Sequence, residues 1–316
     1  MWLSFARRFW DRIRTTTTEA EAVARYALAL ESQGKLNNYK RVWFPDAELQ
    51  GLTRSYAQRT QQMTAEVNRL WKLLKVASVD LYLTLGGTHP EAEIDENVLQ
   101  KQGILALLAA KADIWEWKTF TGSDFLQAMG GRSSSGRQKL IVELQKVTRT
   151  FQPIPASLAL MIQNAANQIL LLKKQQREIR KTLEVITRDN KAVKALEGYK
   201  GISTITASTM VAEIIDIRRF VRDDSLASYA GLGMKELSTG SRSTMVHGSL
   251  FNHRLKNIFI TAAKNYVLYN PDSHLAGYYR NLMKGGMSQL EARKRVARAL
   301  VRVFFQSVAC SCCQHK

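Results

Sequence analysis

Cysteine is nearly missing from this chain. Of 316 residues only Cys310, Cys312 and Cys313 carry a thiol. Thiols so close together cannot tie distant parts of a fold, which excludes a disulfide scaffold. Long apolar runs are missing too: the longest, Gly103 to Ala110, is cut at Lys111, well short of the roughly 18 residues that a membrane span needs. A soluble protein with no membrane partner is expected. Met1 to Arg14 carries four arginines but neither a continuous apolar core nor a small-residue cleavage site. It does not read as a secretory signal, and the cytoplasm is the expected location. Runs of alternating β-branched residues are equally scarce, while helical periodicity recurs almost everywhere. Acidic residues are in short supply as well, with 27 Asp and Glu against 46 Lys and Arg and a formal charge of +19. Such an excess attracts polyanions, because each cation near a phosphate releases condensed counterions. Nucleic acid is the expected partner; a merely solvated surface and an anionic membrane surface are the alternatives.

The residues present make a folded, mainly α protein. At 45% hydrophobic residues the chain can bury a core, and its length allows about two domains. After Pro45, the residues Leu49, Leu52, Tyr56, Met63, Val67, Leu70 and Leu74 recur at three- and four-residue spacings beside Arg54, Arg59, Glu66 and Arg69, the pattern of one long amphipathic helix. Glycines and serines between Gly86 and Gly136 punctuate a region of shorter helices. From Ala156, the residues Leu158, Ile162, Ala165, Ile169, Leu172, Gln176, Ile179, Leu183 and Ile186 follow the alternating steps of a heptad. This coiled-coil seam either pairs with the first long helix inside one chain or also joins two chains, with Gln176 setting register.

The segment Leu196-Glu-Gly-Tyr-Lys-Gly201-Ile-Ser-Thr-Ile-Thr-Ala207 has the pattern of a helix, a tight glycine turn and a second helix, a helix-hairpin-helix. Lys200, Gly201 and Ser203 would meet a phosphate there, since glycine permits the turn and the second helix offers backbone N–H groups. Such contacts hold backbone rather than bases. Ser203 stands where the common form has a second glycine, and a purely structural hairpin is the alternative. Further on, the helix from Ser288 sets Ala292, Val296, Ala299, Leu300 and Val303 on one face, with Lys294, Arg295, Arg298 and Arg302 away from it. Contact with nucleic-acid backbone through Lys294, Arg298 and Arg302 is expected, against the alternative of a solvated charged face. The tail Cys310-Ser-Cys-Cys-Gln-His315 lacks the paired spacing of a structural zinc site and is expected to be disordered.

Between these lie Leu226-Ala-Ser-Tyr-Ala-Gly-Leu-Gly, Glu236-Leu-Ser-Thr-Gly-Ser-Arg-Ser, Phe251-Asn-His-Arg-Leu-Lys-Asn-Ile-Phe, Asn270-Pro-Asp-Ser-His, Lys284-Gly-Gly and Ala292-Arg-Lys-Arg-Val-Ala-Arg-Ala-Leu. In this order, from about Leu196 to Phe305, they resemble the DEDD transposases of bacterial insertion sequences, the group related to the Piv DNA invertase and including the RNA-guided bridge recombinases. Weaker likeness covers Thr16-Thr-Thr-Glu-Ala-Glu-Ala and Trp43-Phe-Pro45.

The resemblance implies DNA as substrate, a guide RNA as a second partner, homo-oligomers through the coiled coil, and a bacterial cytoplasmic location at the nucleoid. It also implies an α/β nuclease-like domain of the RNase H or RuvC kind, in which four acids hold two Mg²⁺ ions that activate a nucleophile and stabilise the leaving oxygen. Of those acids Glu21, with Glu19 beside it, falls in the matching box, and the remaining ones would precede residue 1. The expectation is therefore an N-terminally shortened, catalytically impaired transposase, or a non-catalytic nucleic-acid-binding remnant or regulator. The family's serine, which attacks DNA, falls on Ser238 when counted from the Phe-Asn segment and on Thr239 when counted from the glycine. Arg242, Arg254 and Lys256 would support the phosphate, with His247 and His253 close by. The expected organisation is a remnant of the nuclease-like domain over 1–48, a helical coiled-coil region over 49–190, a C-terminal transposase domain over 191–306 and a disordered tail over 307–316.

Overall fold

Asp46 opens the first long helix by accepting a hydrogen bond from the Leu49 N–H, and α1 then runs over Ala47–Ala77. The computed structural model describes residues 28–29, 32, 46–86, 102–233, 235–239, 242–246 and 251–313. Residues 46–316 form one unit. After α1 come α2 (Val79–Thr84), α3 (Gln102–Ala110), α4 (Gly122–Ala128) and α5 (Ser135–Val147). The second long helix, α6 (Ala156–Ile186), leads into α7 (Lys191–Glu197), α8 (Thr204–Ile214) and α9 (Asp223–Tyr229). A two-stranded ribbon follows, β1 (Lys235–Thr239) with β2 (Arg242–Val246), and then α10 (His253–Tyr269), α11 (His274–Lys284) and α12 (Gln289–Cys313). The protein is mainly α, as its periodicity implies.

The two long helices pair with each other. The Gln176 side-chain amide donates to Thr60 Oγ1 at 2.8 Å, and Arg180 donates to the Tyr56 hydroxyl at 3.3 Å. As the number rises on α1 it falls on α6, so the pair is antiparallel. Seam residues Ile162, Ala165, Ile169, Leu172 and Leu183 are buried within this single chain. Pairing within the chain accounts for these seam residues.

One core gathers Val67, Leu70 and Leu74 of α1 with Ile104, Leu107 and Trp117 and with Ile162 and Ile169 of α6. A second gathers Leu196, Met210, Leu226, Phe259, Leu300 and Phe304 from α7 through α12. Between them Leu49, Leu183 and Ala212 form a small bridging cluster. Helix α12 passes the expected boundary at 306 and continues to Cys313, because Val308 is buried in the second core and Ser307 hydrogen-bonds the Tyr199 hydroxyl at 2.5 Å. The stretch expected as a disordered tail is thus helical over 307–313.

The two-stranded ribbon is the strand structure within this mainly α fold among the described residues. Its strands carry little apolar alternation (Lys-Glu-Leu-Ser-Thr and Arg-Ser-Thr-Met-Val), and alternation is the signal a sequence offers for a strand that covers a core. Among the described residues no helix is long and apolar enough to cross a membrane.

Candidate nucleic-acid interface

The glycine turn between α7 and α8 is fixed by α10. Gly201 has φ +92°, and a Cβ there would sit 2.8 Å from the Asn265 carbonyl oxygen and 3.1 Å from the Tyr269 ring. Only glycine meets both demands. The Asn270 side chain donates to the Lys200 carbonyl at 2.9 Å, clamping the turn from the other side. Ser203 accepts from the Thr206 N–H at 3.3 Å and so caps α8, a sufficient structural reason for a serine at that point. The Lys200 side chain is exposed.

The other end of α10 is fixed by a second glycine. Gly231 has φ +65°, and its missing Cβ would lie 2.4 Å from the Phe251 ring. The Asn252 N–H donates to the Tyr229 carbonyl at 2.8 Å, and its side-chain oxygen caps α10 at the Leu255 N–H. Its amide group donates to Glu213 at 2.8 Å. Glu213 is 2% exposed and also receives Arg54 of α1 through two hydrogen bonds, at 2.9 and 3.3 Å. Burial pushes this carboxyl up, but hydrogen bonds from Arg54 and Asn252 outweigh it and hold Glu213 below the ordinary glutamate range. One carboxylate therefore joins α1, α8 and the start of α10.

Gly233 and Phe251 flank the ribbon in the chain, so the anchored segment is also its foot. In the ribbon Ser238 is in register with Ser243, and Thr239 with Arg242. Successive strand positions belong to opposite faces, so the two nucleophile candidates occupy different faces by position. Arg254 and Lys256 lie in the first turn of α10. Lys256 stands over the Phe251 ring at 4.6 Å, and His253 packs on the same ring at 4.2 Å.

Three of the five cations of α12 are matched by acids. Lys294 pairs with Glu291 at 2.5 Å, Arg298 with Asp224 at 3.3 Å, and Arg302 with Asp223 at 3.6 Å. The last two acids come from the first turn of α9. Glu19, Glu21 and His247 lie outside the described residues. Among the described residues no three His, Cys, Asp or Glu side chains converge as a metal site requires.

Residues 193–280 match the transposase IS116/IS110/IS902 family. That segment is similar to insertion-sequence transposases of this family, and it supports a transposase role. It begins in α7 and ends in α11, and so takes in the clamped glycine turn, the ribbon and the whole of α10. No curated protein matches the chain.

Arg54, Glu213, Asn252 and Gly231 carry the geometry of the matched segment, and the sequence reading assigned none of them a role. One signal was there for Glu213: a lone acid inside the apolar run Val211-Ala-Glu-Ile-Ile needs a buried partner.

Proposed function

We propose that the protein is a DEDD-type insertion-sequence transposase whose region from α7 to α12 binds DNA through its phosphate backbone. What supports this is the coincidence of the family match with the stretch in which α10 joins a clamped glycine turn to the foot of the ribbon. On this reading the turn is a helix-hairpin-helix, with exposed Lys200 beside the start of α8. The net charge supplies a long-range attraction for DNA that is independent of sequence.

On this reading the ribbon delivers the nucleophile. A Ser238 oxygen that attacks a backbone phosphorus forms a new O–P ester, breaks one P–O bond to the sugar, and releases the sugar oxygen as a hydroxyl that takes up a proton. A serine needs an acceptor for its own proton, and Mg²⁺ held by acids including Glu19 and Glu21 would supply that setting in an intact family member. A guide RNA, a homo-oligomer and a place at the nucleoid belong to the same reading.

The test is a covalent adduct. The protein is incubated with the termini of its own element, any RNA that the element encodes, and Mg²⁺. An adduct abolished by Ser238→Ala supports strand exchange through that serine, and one lost only with Thr239→Ala moves the role to the threonine. DNA binding without an adduct favours the non-catalytic DNA-binding reading.

A further inference from the structure

Helix α10 carries no Asp or Glu between His253 and Tyr269, and α11 carries none between His274 and Lys284. Leu255, Phe259, Ala262 and Ala263 of α10 are buried, while Arg254, Asn257, Thr261, Lys264 and Leu268 form an exposed stripe at three- and four-residue steps. Neither Arg254 nor Lys264 forms an ion pair among the described residues. Arg254 is near enough to Glu213 to help lower its pKa, yet Glu213 is ion-paired with Arg54. The cations of α12 differ, since each of the three expected to contact DNA faces a carboxylate within 4 Å.

We infer that the exposed stripe of α10 is a track for one strand of duplex DNA, running from the foot of the ribbon to the clamped glycine turn, with Arg254 and Lys264 as its phosphate contacts. The inference rests on the DNA-binding reading above and adds the surface, the path and a residue, Lys264. Arg254 and Lys264 are ten positions apart on α10, about 15 Å at the helical rise. A strand rises about 3.4 Å per step while winding around the axis, so a separation of this size lies within the span of a few neighbouring phosphates of one strand. Asn257 and Thr261 between them offer polar groups of the kind that position a backbone without reading bases. The turn at Lys200 and the first turn of α10 bracket the stripe, so contacts at both ends belong to one path.

The full chain is titrated into a labelled duplex of arbitrary sequence across about 50 to 200 mM salt. The double variant Arg254→Ala/Lys264→Ala is expected to lower the log–log salt slope by about 2 and to weaken binding at least about tenfold. Lys264→Glu alone is expected to weaken binding more than Lys264→Ala, with an unchanged melting temperature. This variant leaves Arg254 and its field at Glu213 intact. If the wild type binds with a steep slope that the double variant keeps, the track is wrong and DNA binding stands. A slope that falls as much with Lys294→Ala/Arg298→Ala/Arg302→Ala also overturns the track. A wild type that does not bind, or binds indifferently to salt, overturns both.

Discussion

Helices α10 and α12 look alike as sequence, each amphipathic and each basic along its polar face, yet the fold treats their charges differently. Lys294 of α12 meets Glu291 on its own helix, and Arg298 and Arg302 meet Asp224 and Asp223 from α9. Among the described residues Arg254 and Lys264 of the α10 stripe form no ion pair, and Glu213, the acid near its start, is already engaged by Arg54 and Asn252. Counting cations along a helix gives the charge it owns; what it offers a phosphate depends on which carboxylates tertiary structure brings alongside. Buried and exposed pairs differ in the same way. Arg54–Glu213 holds elements together at a site where the carboxylate is 2% exposed, whereas Asp224 and Asp223 keep 66% and 32% exposure in their pairs.

The comparison breaks most severely at Gly231. An alanine there takes φ +65°, a conformation L-residues rarely adopt, and drives its Cβ into the Phe251 ring. Strain and overpacking together are expected to cost about 3 kcal/mol. Because Phe251 and Asn252 set the start of α10, Gly231→Ala should lower the melting temperature and weaken DNA binding together. A stable variant with wild-type binding would show that α10 does not depend on this anchor.

Next in size is Arg54→Ala, which leaves the Glu213 carboxylate buried with Asn252 as its remaining hydrogen-bond donor. Stranding one partner of a buried pair costs about 3–5 kcal/mol. Arg54 is itself 42% exposed, which places the expected loss near about 2–3 kcal/mol, read by chemical denaturation. A loss under about 1 kcal/mol would put this pair in the same class as those of α12.

The pH dependence sharpens the same point. The pKa of Glu213 is depressed in the folded protein, so its contribution is present above the unfolded glutamate value and is lost as pH falls through the folded one. The stability gap between wild type and Glu213→Gln should be level from about pH 8 to about pH 5 and close below about pH 4.5. Asp216 and Asp124 are also depressed and cancel in this difference. A gap that stays open in acid would mean that glutamine fails for reasons of shape.

Much of this was legible in the sequence because it follows from repetition. The periods of α1 and α6 and the apolar face of α12 were all read from spacing, and Gly201 from its neighbours in a turn. The occupant of the seam was not legible, since a heptad is the same whether the partner helix belongs to this chain or to another; the Gln176–Thr60 hydrogen bond supplies the answer. The ribbon was missed because its five-residue strands are mostly polar and carry no apolar alternation to announce them. The anchor at Glu213 was missed because Arg54 and Asn252 lie far from it in the chain and meet it only after α1, α8 and α10 have packed.

The smallest expected effect belongs to α12. Exposed ion pairs are worth about 0–1 kcal/mol each, since water screens them and side-chain entropy opposes them. Asp223 and Asp224 stay favourably placed at the start of α9 even without their partners, because the helix dipole favours acids there. Lys294→Ala/Arg298→Ala/Arg302→Ala should therefore cost about 1 kcal/mol or less in stability and change the DNA salt slope by less than about 1. A fall in slope of about 3 would show that DNA displaces the carboxylates and takes all three cations, which would overturn the α10 track and move the interface to α12. An unchanged slope together with an unchanged melting temperature would confine these three charges to solvation.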